Sequence, residues 1–260
     1  HSQPRKNETH PMGIIAIVGA GNVGQAIAGH MTLLGHEVRL YSRWERDFEA
    51  ITSTGGIELS GDVEGRAAKP LLTTDLVTAV RGADTIIVAA PAFAHAYFSE
   101  QLAALLEPGQ LVVFQPGVLG SSLELARHFA LAQRRPCLIA ETATSLYTCR
   151  LRGPAKVFIG AIKQAVPLAT IPHAACQEAL ARLSPYFGNR YVDGTDTLSV
   201  GLGNCNAIYH VPPAVLNIKT VEDSAKLPQH TLVTPRIAEV INALDEERLS
   251  LAEALGVKTH

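Results

Sequence analysis

The 260 residues are 47% hydrophobic and carry a formal net charge of −2, which allows a sizeable core and gives no broad attraction to nucleic acid or an anionic membrane. No apolar run approaches the ~20 residues of a membrane span, and Cys137, Cys149, Cys176 and Cys205 stand far apart with no C-x-x-C pair. A membrane protein, a disulfide framework and a zinc site are thereby disfavoured, and a globular cytoplasmic protein with reduced thiols is expected; the opening residues 1–11 are polar and hold no apolar signal core.

Ile14–Val18 is a short run rich in β-branched residues, followed at once by Gly19, Gly21 and Gly24 and then by helix formers over residues 23–34. Strand, tight turn and helix are the context in which G-x-G-x-x-G binds a dinucleotide. Gly19 permits the turn, Gly21 lets the backbone approach a pyrophosphate, and Gly24 lets helix and strand pack closely. The free N–H groups of the helix start, at Asn22 and Val23, favour an anion. Gly35 then breaks the helix, and Glu37–Tyr41 restarts as a strand.

Residues 55–61 and 65–72 alternate like a two-stranded insertion with glycine turns. A short helix over 75–82, a buried strand over 84–90 ending at Pro91, a helix over 92–106, a strand over 110–114, a helix over 121–134 and a strand over 137–140 continue the alternation. Such a series predicts a Rossmann-type, doubly wound parallel sheet with helices on both faces, binding ligands beyond the carboxyl ends of its strands. A further strand is read over 156–160. Beyond it helices dominate, over 173–183 and 235–255, with weaker signals at 196–200 and 215–218 and little strand character past 190–192. The proline-punctuated stretch 165–172 therefore divides a nucleotide domain (12–165) from a mainly α-helical second domain (166–260).

The second strand ends in Tyr41-Ser42-Arg43, where NAD-binding units place an acid for the ribose 2′-hydroxyl. Ser42 can donate to a 2′-phosphate and Arg43, with Arg46, can pair with it bidentately, so NADP(H) is favoured over NAD(H). The alternative is that Arg43 and Arg46 are solvated charges beside Glu45 and Asp47.

The polar segment 141–150 follows the last parallel strand and should lie at the sheet's ligand edge. Further on, Asn206 and His210 stand four apart and the run stops in Pro212-Pro213; on a helix the two share a face, and the prolines would put His210 near its end. Several motifs now converge: Gly19-Ala20-Gly21-Asn22-Val23-Gly24, Pro91-Ala92-Phe93-Ala94-His95, Gln115-Pro116-Gly117, Tyr147-x-Cys149-Arg150, Gly160-Ala161-Ile162-Lys163 and Asn206-x-x-x-His210. In their order and spacing the sequence resembles the octopine/nopaline (opine) dehydrogenase family.

The resemblance implies an NAD(P)H-dependent enzyme that joins an amino acid's amine to a 2-oxo acid and reduces the imine to a secondary amine. It implies His210 as catalytic acid/base, Asn206 beside it, and Gln115, Glu141 and Thr144 on the substrate side. Ser145-Leu146 replaces the family's usual Leu-Pro pair, and the helical part is expected to be shortened, without the later stretch that supplies an Asp partner for the histidine and an Arg for substrate. Chemically the assignment is sound, because imine or ketone reduction needs a proton donor near the heteroatom and histidine titrates close to neutral pH. A carboxylate-binding cation is also needed; Arg150, Lys219 and backbone amides are candidates. His95 reads as a structural residue at a helix start and Cys149 as a packed thiol, and no metal-ligand spacing occurs among the ten histidines.

Two alternatives stand beside this reading. One is a ketopantoate reductase-like ketone reduction, which generally relies on a lysine; the other is a non-catalytic NADP(H)-binding protein. The final helix, with Ile237, Val240, Ile241, Leu244, Leu251, Ala252 and Leu255 at three- and four-residue spacings, predicts an apolar face that is not buried alone and hence a homodimer.

Overall fold

The computed structural model describes residues 13–223 and 229–259; the polar opening stretch and His260 lie outside them. Strand β1 (Ile14–Val18), helix α1 (Asn22–Leu33) and β2 (Glu37–Tyr41) form the expected first unit, with β1 and β2 parallel from Ile14↔Glu37 to Val18↔Tyr41. A 3-10 turn at Glu45–Phe48 and α2 (Glu49–Thr54) lead to β3 (Gly56–Gly61) and β4 (Gly65–Ala68). The series then runs β5 (Leu71–Thr73), α3 (Leu76–Val80), β6 (Thr85–Val88), α4 (His95–Leu105), β7 (Leu111–Phe114), α5 (Ser121–Leu131) and β8 (Leu138–Thr142). After it come β9 (Tyr147–Gly153), β10 (Lys156–Ile162), β11 (Val166–Ile171), α6 (Cys176–Phe187), β12 (Tyr191–Asp193), α7 (Thr197–Leu202), α8 (Asn206–Leu216), α9 (Ile218–Asp223) and α10 (Pro235–Ala254).

The large sheet has the order β12-β11-β8-β7-β6-β1-β2-β5. The chain departs from β1 in both directions, to β2 on one side and β6 on the other, which opens a crevice above the carboxyl end of β1. Its central strands are apolar on both sides, feeding one core under α1 and α6 and a second under α3, α4 and α5. A smaller sheet, β4-β3-β10-β9, lies over the outer side of α1. There a Cβ on Gly29 would come within 3.0 Å of the Leu59 side chain.

Four expectations are corrected. The insertion pairs β3 with β4 as predicted, but residues 71–72 belong to β5, which joins the large sheet beside β2; their leucines are drawn to the main layer. Residues 147–150, read as the end of a ligand-edge segment, instead open β9, antiparallel to β10 in the smaller sheet. The stretch 165–172, read as a division, contains β11, antiparallel to β8, and the large sheet continues to β12. Pro212 and Pro213 do not end α8: both rings are buried, and that burial offsets the two helical N–H donors they remove. His210 therefore lies inside α8.

Helix α10 starts as its sequence suggests, with Thr234 accepting from the Ile237 N–H and Pro235 in the first turn. Ile237, Ile241 and Ala252 are buried, whereas Val240, Leu244, Leu251 and Leu255 stay exposed, as do Val215 and Leu216 of α8. Among the described residues no helix is long and apolar enough to cross a membrane.

Candidate active site

The glycine turn leaves backbone and space open at the carboxyl end of β1. Gly19 has φ 119°, open to glycine and strained for any other residue. The start of α1 carries no side-chain cap, which leaves its first N–H groups for a ligand. A Cβ on Gly21 would meet nothing within 4 Å, so the space above it is free, while one on Gly24 would fall 1.7 Å from the Gly19 carbonyl oxygen. Asn22 turns its side chain the other way and accepts from the Leu151 N–H at 2.8 Å, tying β9 to the turn. These features fit a bound pyrophosphate, with Gly21 and the α1 amides holding it and Gly24 beneath.

Above the turn opens a cleft of about 1100 Å³. Gly19, Gly21, Asn22, Val23, Ser42, Arg43, Pro91 and Asn206 all line it. Toward β2, Arg43 stands over the rings of Trp44 and Tyr97, 5.3 and 5.2 Å from their centroids, and Arg46 lies 5.2 Å from that of Trp44. Ser42 is buried and its hydroxyl donates to Asp47. At the other end α7, α8 and α10 close the cleft through Gly201, Leu202, Asn204, Asn206 and Arg248.

The remaining site residues stand behind this wall or beside it. Gln115 is wholly buried and accepts from the Tyr191 hydroxyl, and its amide nitrogen has no partner among the described residues. Glu141, at the carboxyl end of β8, is 1% exposed and accepts from the Ser122 N–H at 2.9 Å, while its second oxygen has no partner among the described residues. Thr144 accepts from the Lys163 ammonium at 2.7 Å. His210 lies exposed on α8, one turn beyond Asn206, and neither it nor Gln115, Glu141 or Thr144 lines the cleft. His95 is buried at the start of α4, with Nδ1 2.8 Å from the Ser121 hydroxyl and Nε2 3.0 Å from the Ala90 carbonyl. A carbonyl only accepts, so Nε2 carries the proton; burial lowers the pKa of this ring, which acts as a strut.

Burial pushes the Glu141 carboxyl up from 4.5 to about 7. The unfolded chain gives up this proton near 4.5 and the folded protein only near 7, so stability is fully present below pH 4.5 and falls as the pH rises to about 7. Glu141→Gln is expected to flatten that loss. Urea midpoints of both proteins from pH 4.5 to 7.5 check it, and parallel curves would contradict the assignment.

Sequence reasoning overlooked Arg248 and Asn204. Arg248 donates to Asp245 at 2.8 Å and to the Leu202 carbonyl at 2.8 Å, joining α10 to α7. Its signal was present: Ile237, Ile241, Arg248 and Ala252 occupy one buried stripe of α10, so the arginine interrupts an apolar face.

Residues 15–164 match the ketopantoate reductase PanE/ApbA family, and residues 194–260 match the NAD/NADP octopine/nopaline dehydrogenase alpha-helical domain. Over 244 residues the chain is 31% identical to an opine dehydrogenase of Arthrobacter sp. (strain 1C), covering 93% of this chain and 68% of that protein. The chain belongs to the opine dehydrogenase family. Solved structures share the opine dehydrogenase fold: octopine dehydrogenase with NADH and L-arginine gives a TM-score of 0.73 at 19% identity, over 93% of this chain and 64% of that one. Yersinopine dehydrogenase with NADP+ gives 0.74 at 18% identity, over 96% and 65%. The chain thus spans about two thirds of the length of these opine dehydrogenases, and membership places it among NAD(P)-dependent oxidoreductases.

Proposed function

We propose that this protein catalyses opine-type reductive condensation, in which an amino acid's amine and a 2-oxo acid lose water to form an imine that is reduced to a secondary-amine dicarboxylate. The observation that carries the reading is the continuity of the cleft: the glycine turn and Asn206 of the helical part face the same space. The bound dinucleotide supplies hydride. His210 donates the proton that the heteroatom takes up, Asn206 orients the substrate from the same face of α8, and Gln115, Glu141 and Thr144 act on the substrate side. The polar atoms of Gln115 and Glu141 that have no partner among the described residues support this, since a buried group without a partner is costly.

The test is the amine requirement. Initial rates of NAD(P)H oxidation with a panel of 2-oxo acids are expected to stay at background until an amino acid is added. The ketopantoate reductase match over the nucleotide part favours a second reading, simple ketone reduction, which would show as oxidation without amine. Tight dinucleotide binding with no turnover would instead mark a non-catalytic protein.

NADP(H) is the preferred dinucleotide in this reading, because the Arg43 guanidinium lines the cleft where a 2′-phosphate would lie. Titration of both reduced dinucleotides, followed through the single tryptophan, Trp44, is expected to give tighter NADPH binding; equal or tighter NADH binding would contradict it. The setting is cytoplasmic, in keeping with four free cysteines.

A homodimer is the expected assembly, formed through the exposed aliphatic side chains of α8 and α10. Covering each such side chain fully is worth roughly 1.5–3 kcal/mol. Sedimentation at micromolar concentration checks this, and a stable monomer would contradict it.

A further inference from the structure

We infer that Asp47 is a specificity-determining residue at the ribose end of the cleft, where its carboxylate favours a 2′-hydroxyl and opposes the preference for a 2′-phosphate that Arg43 creates. The inference rests on the reading that this end takes the adenosine ribose. The residue that follows β2 directly, Ser42, is uncharged, which makes the strand end look permissive to phosphate. In the folded chain, however, the Ser42 hydroxyl has already committed its proton to Asp47, five residues on, and its oxygen accepts from the Trp44 N–H at 3.3 Å. Ser42 has no proton left for a phosphate, and it anchors a carboxylate at the place where the acid of an NAD site belongs.

Asp47 lines the cleft together with Ser42 and Arg43. Its charge is not cancelled by the neighbouring arginines: among the described residues Asp47 forms no ion pair within 4.0 Å. Arg43 and Arg46 lie instead over aromatic faces. A carboxylate in this position accepts from a ribose hydroxyl and repels a phosphate, while a guanidinium does the opposite for the phosphate. The two side chains therefore act against each other, and the net preference is their difference.

The experiment measures NADPH and NADH dissociation constants for the wild type, Asp47→Asn and Ser42→Ala by quenching of Trp44, with melting temperatures as a folding control. Asp47→Asn keeps the shape and the acceptor for Ser42 and loses only the charge. It is expected to raise the NADPH-over-NADH selectivity by about tenfold, through tighter NADPH and weaker NADH binding. Ser42→Ala, which releases Asp47 from its tether, is expected to shift selectivity the same way by less. A natively folded Asp47→Asn protein with wild-type selectivity would overturn the inference while leaving the dinucleotide reading intact. A wild type that binds neither dinucleotide would overturn both.

Discussion

His210→Ala is expected to lower turnover by about 10²–10⁴-fold, the usual worth of a general acid or base, with dinucleotide affinity almost unchanged. The separation follows from where the residue sits. His210 lies on α8, outside the cleft wall formed by the glycine turn, Ser42 and Arg43, so its removal would take away the proposed proton donor without touching the proposed pyrophosphate site. Asn206, one turn earlier on the same face, does line the cleft, so Asn206→Ala should affect substrate KM as well as kcat. Steady-state rates and a dinucleotide titration on the same His210→Ala sample decide the matter. Near wild-type kcat would remove His210 from the mechanism, and a large loss of dinucleotide affinity would make its role structural.

The second large effect is expected at Gly24. A helix-interior glycine replaced by alanine ordinarily gains stability, by up to ~1 kcal/mol. Here the new Cβ would lie 1.7 Å from the Gly19 backbone oxygen, and no rotamer change can relieve a clash with backbone. Helix α1 must move off β1, so Gly24→Ala is expected to lose about 1–3 kcal/mol, the ordinary cost of overpacking, and to displace the amides proposed to hold the pyrophosphate. Gly21→Ala is the control. Its Cβ would meet no protein atom within 4 Å, so folding should be unaffected and only dinucleotide binding should weaken. Urea midpoints and Trp44 titrations of both variants check the pair, and a Gly24→Ala protein as stable as wild type would contradict the packing described for the turn.

The first half of the fold was legible because its signals are local. Apolar runs such as Ile14–Val18 and Thr85–Val88 are buried on both faces, and each is followed by a turn residue and a helix, so period and punctuation agree. Strand β11 was missed for the opposite reason: Pro167 lies within it and Pro172 follows it, and only its antiparallel pairing with β8, a contact between residues distant in sequence, makes it a strand. In β9 mostly exposed polar residues hide a strand that packs one side on its sheet. The prolines of α8 misled because their local cost is visible in sequence and their burial is not.

The same division runs through the site. The glycine turn and the residues after β2 could be placed because strand ends fix them. The side-chain directions could not: Gln115 and Glu141 belong to recognisable motifs, yet whether they face the cleft or the protein interior depends on Tyr191 and Ser122, which reach them from other elements. Asp47 reads as one more charge in a mixed run until the 3-10 turn at Glu45–Phe48 folds it back onto Ser42. Arg248 was hidden behind the acidic residues Asp245, Glu246 and Glu247, although its spacing on the buried stripe of α10 marks it as interior.

In the proposed reaction the hydride ends on a carbon bonded to nitrogen. The most direct measurement supplies 4-deuterated NADPH, a 2-oxo acid and an amino acid and determines the product by mass spectrometry. The expected product is the secondary amine, with the combined mass of the two substrates less water plus one hydrogen and one deuterium, the deuterium at the former carbonyl carbon. A deuterated 2-hydroxy acid, formed equally well without the amino acid, would instead mark simple ketone reduction and contradict reductive condensation.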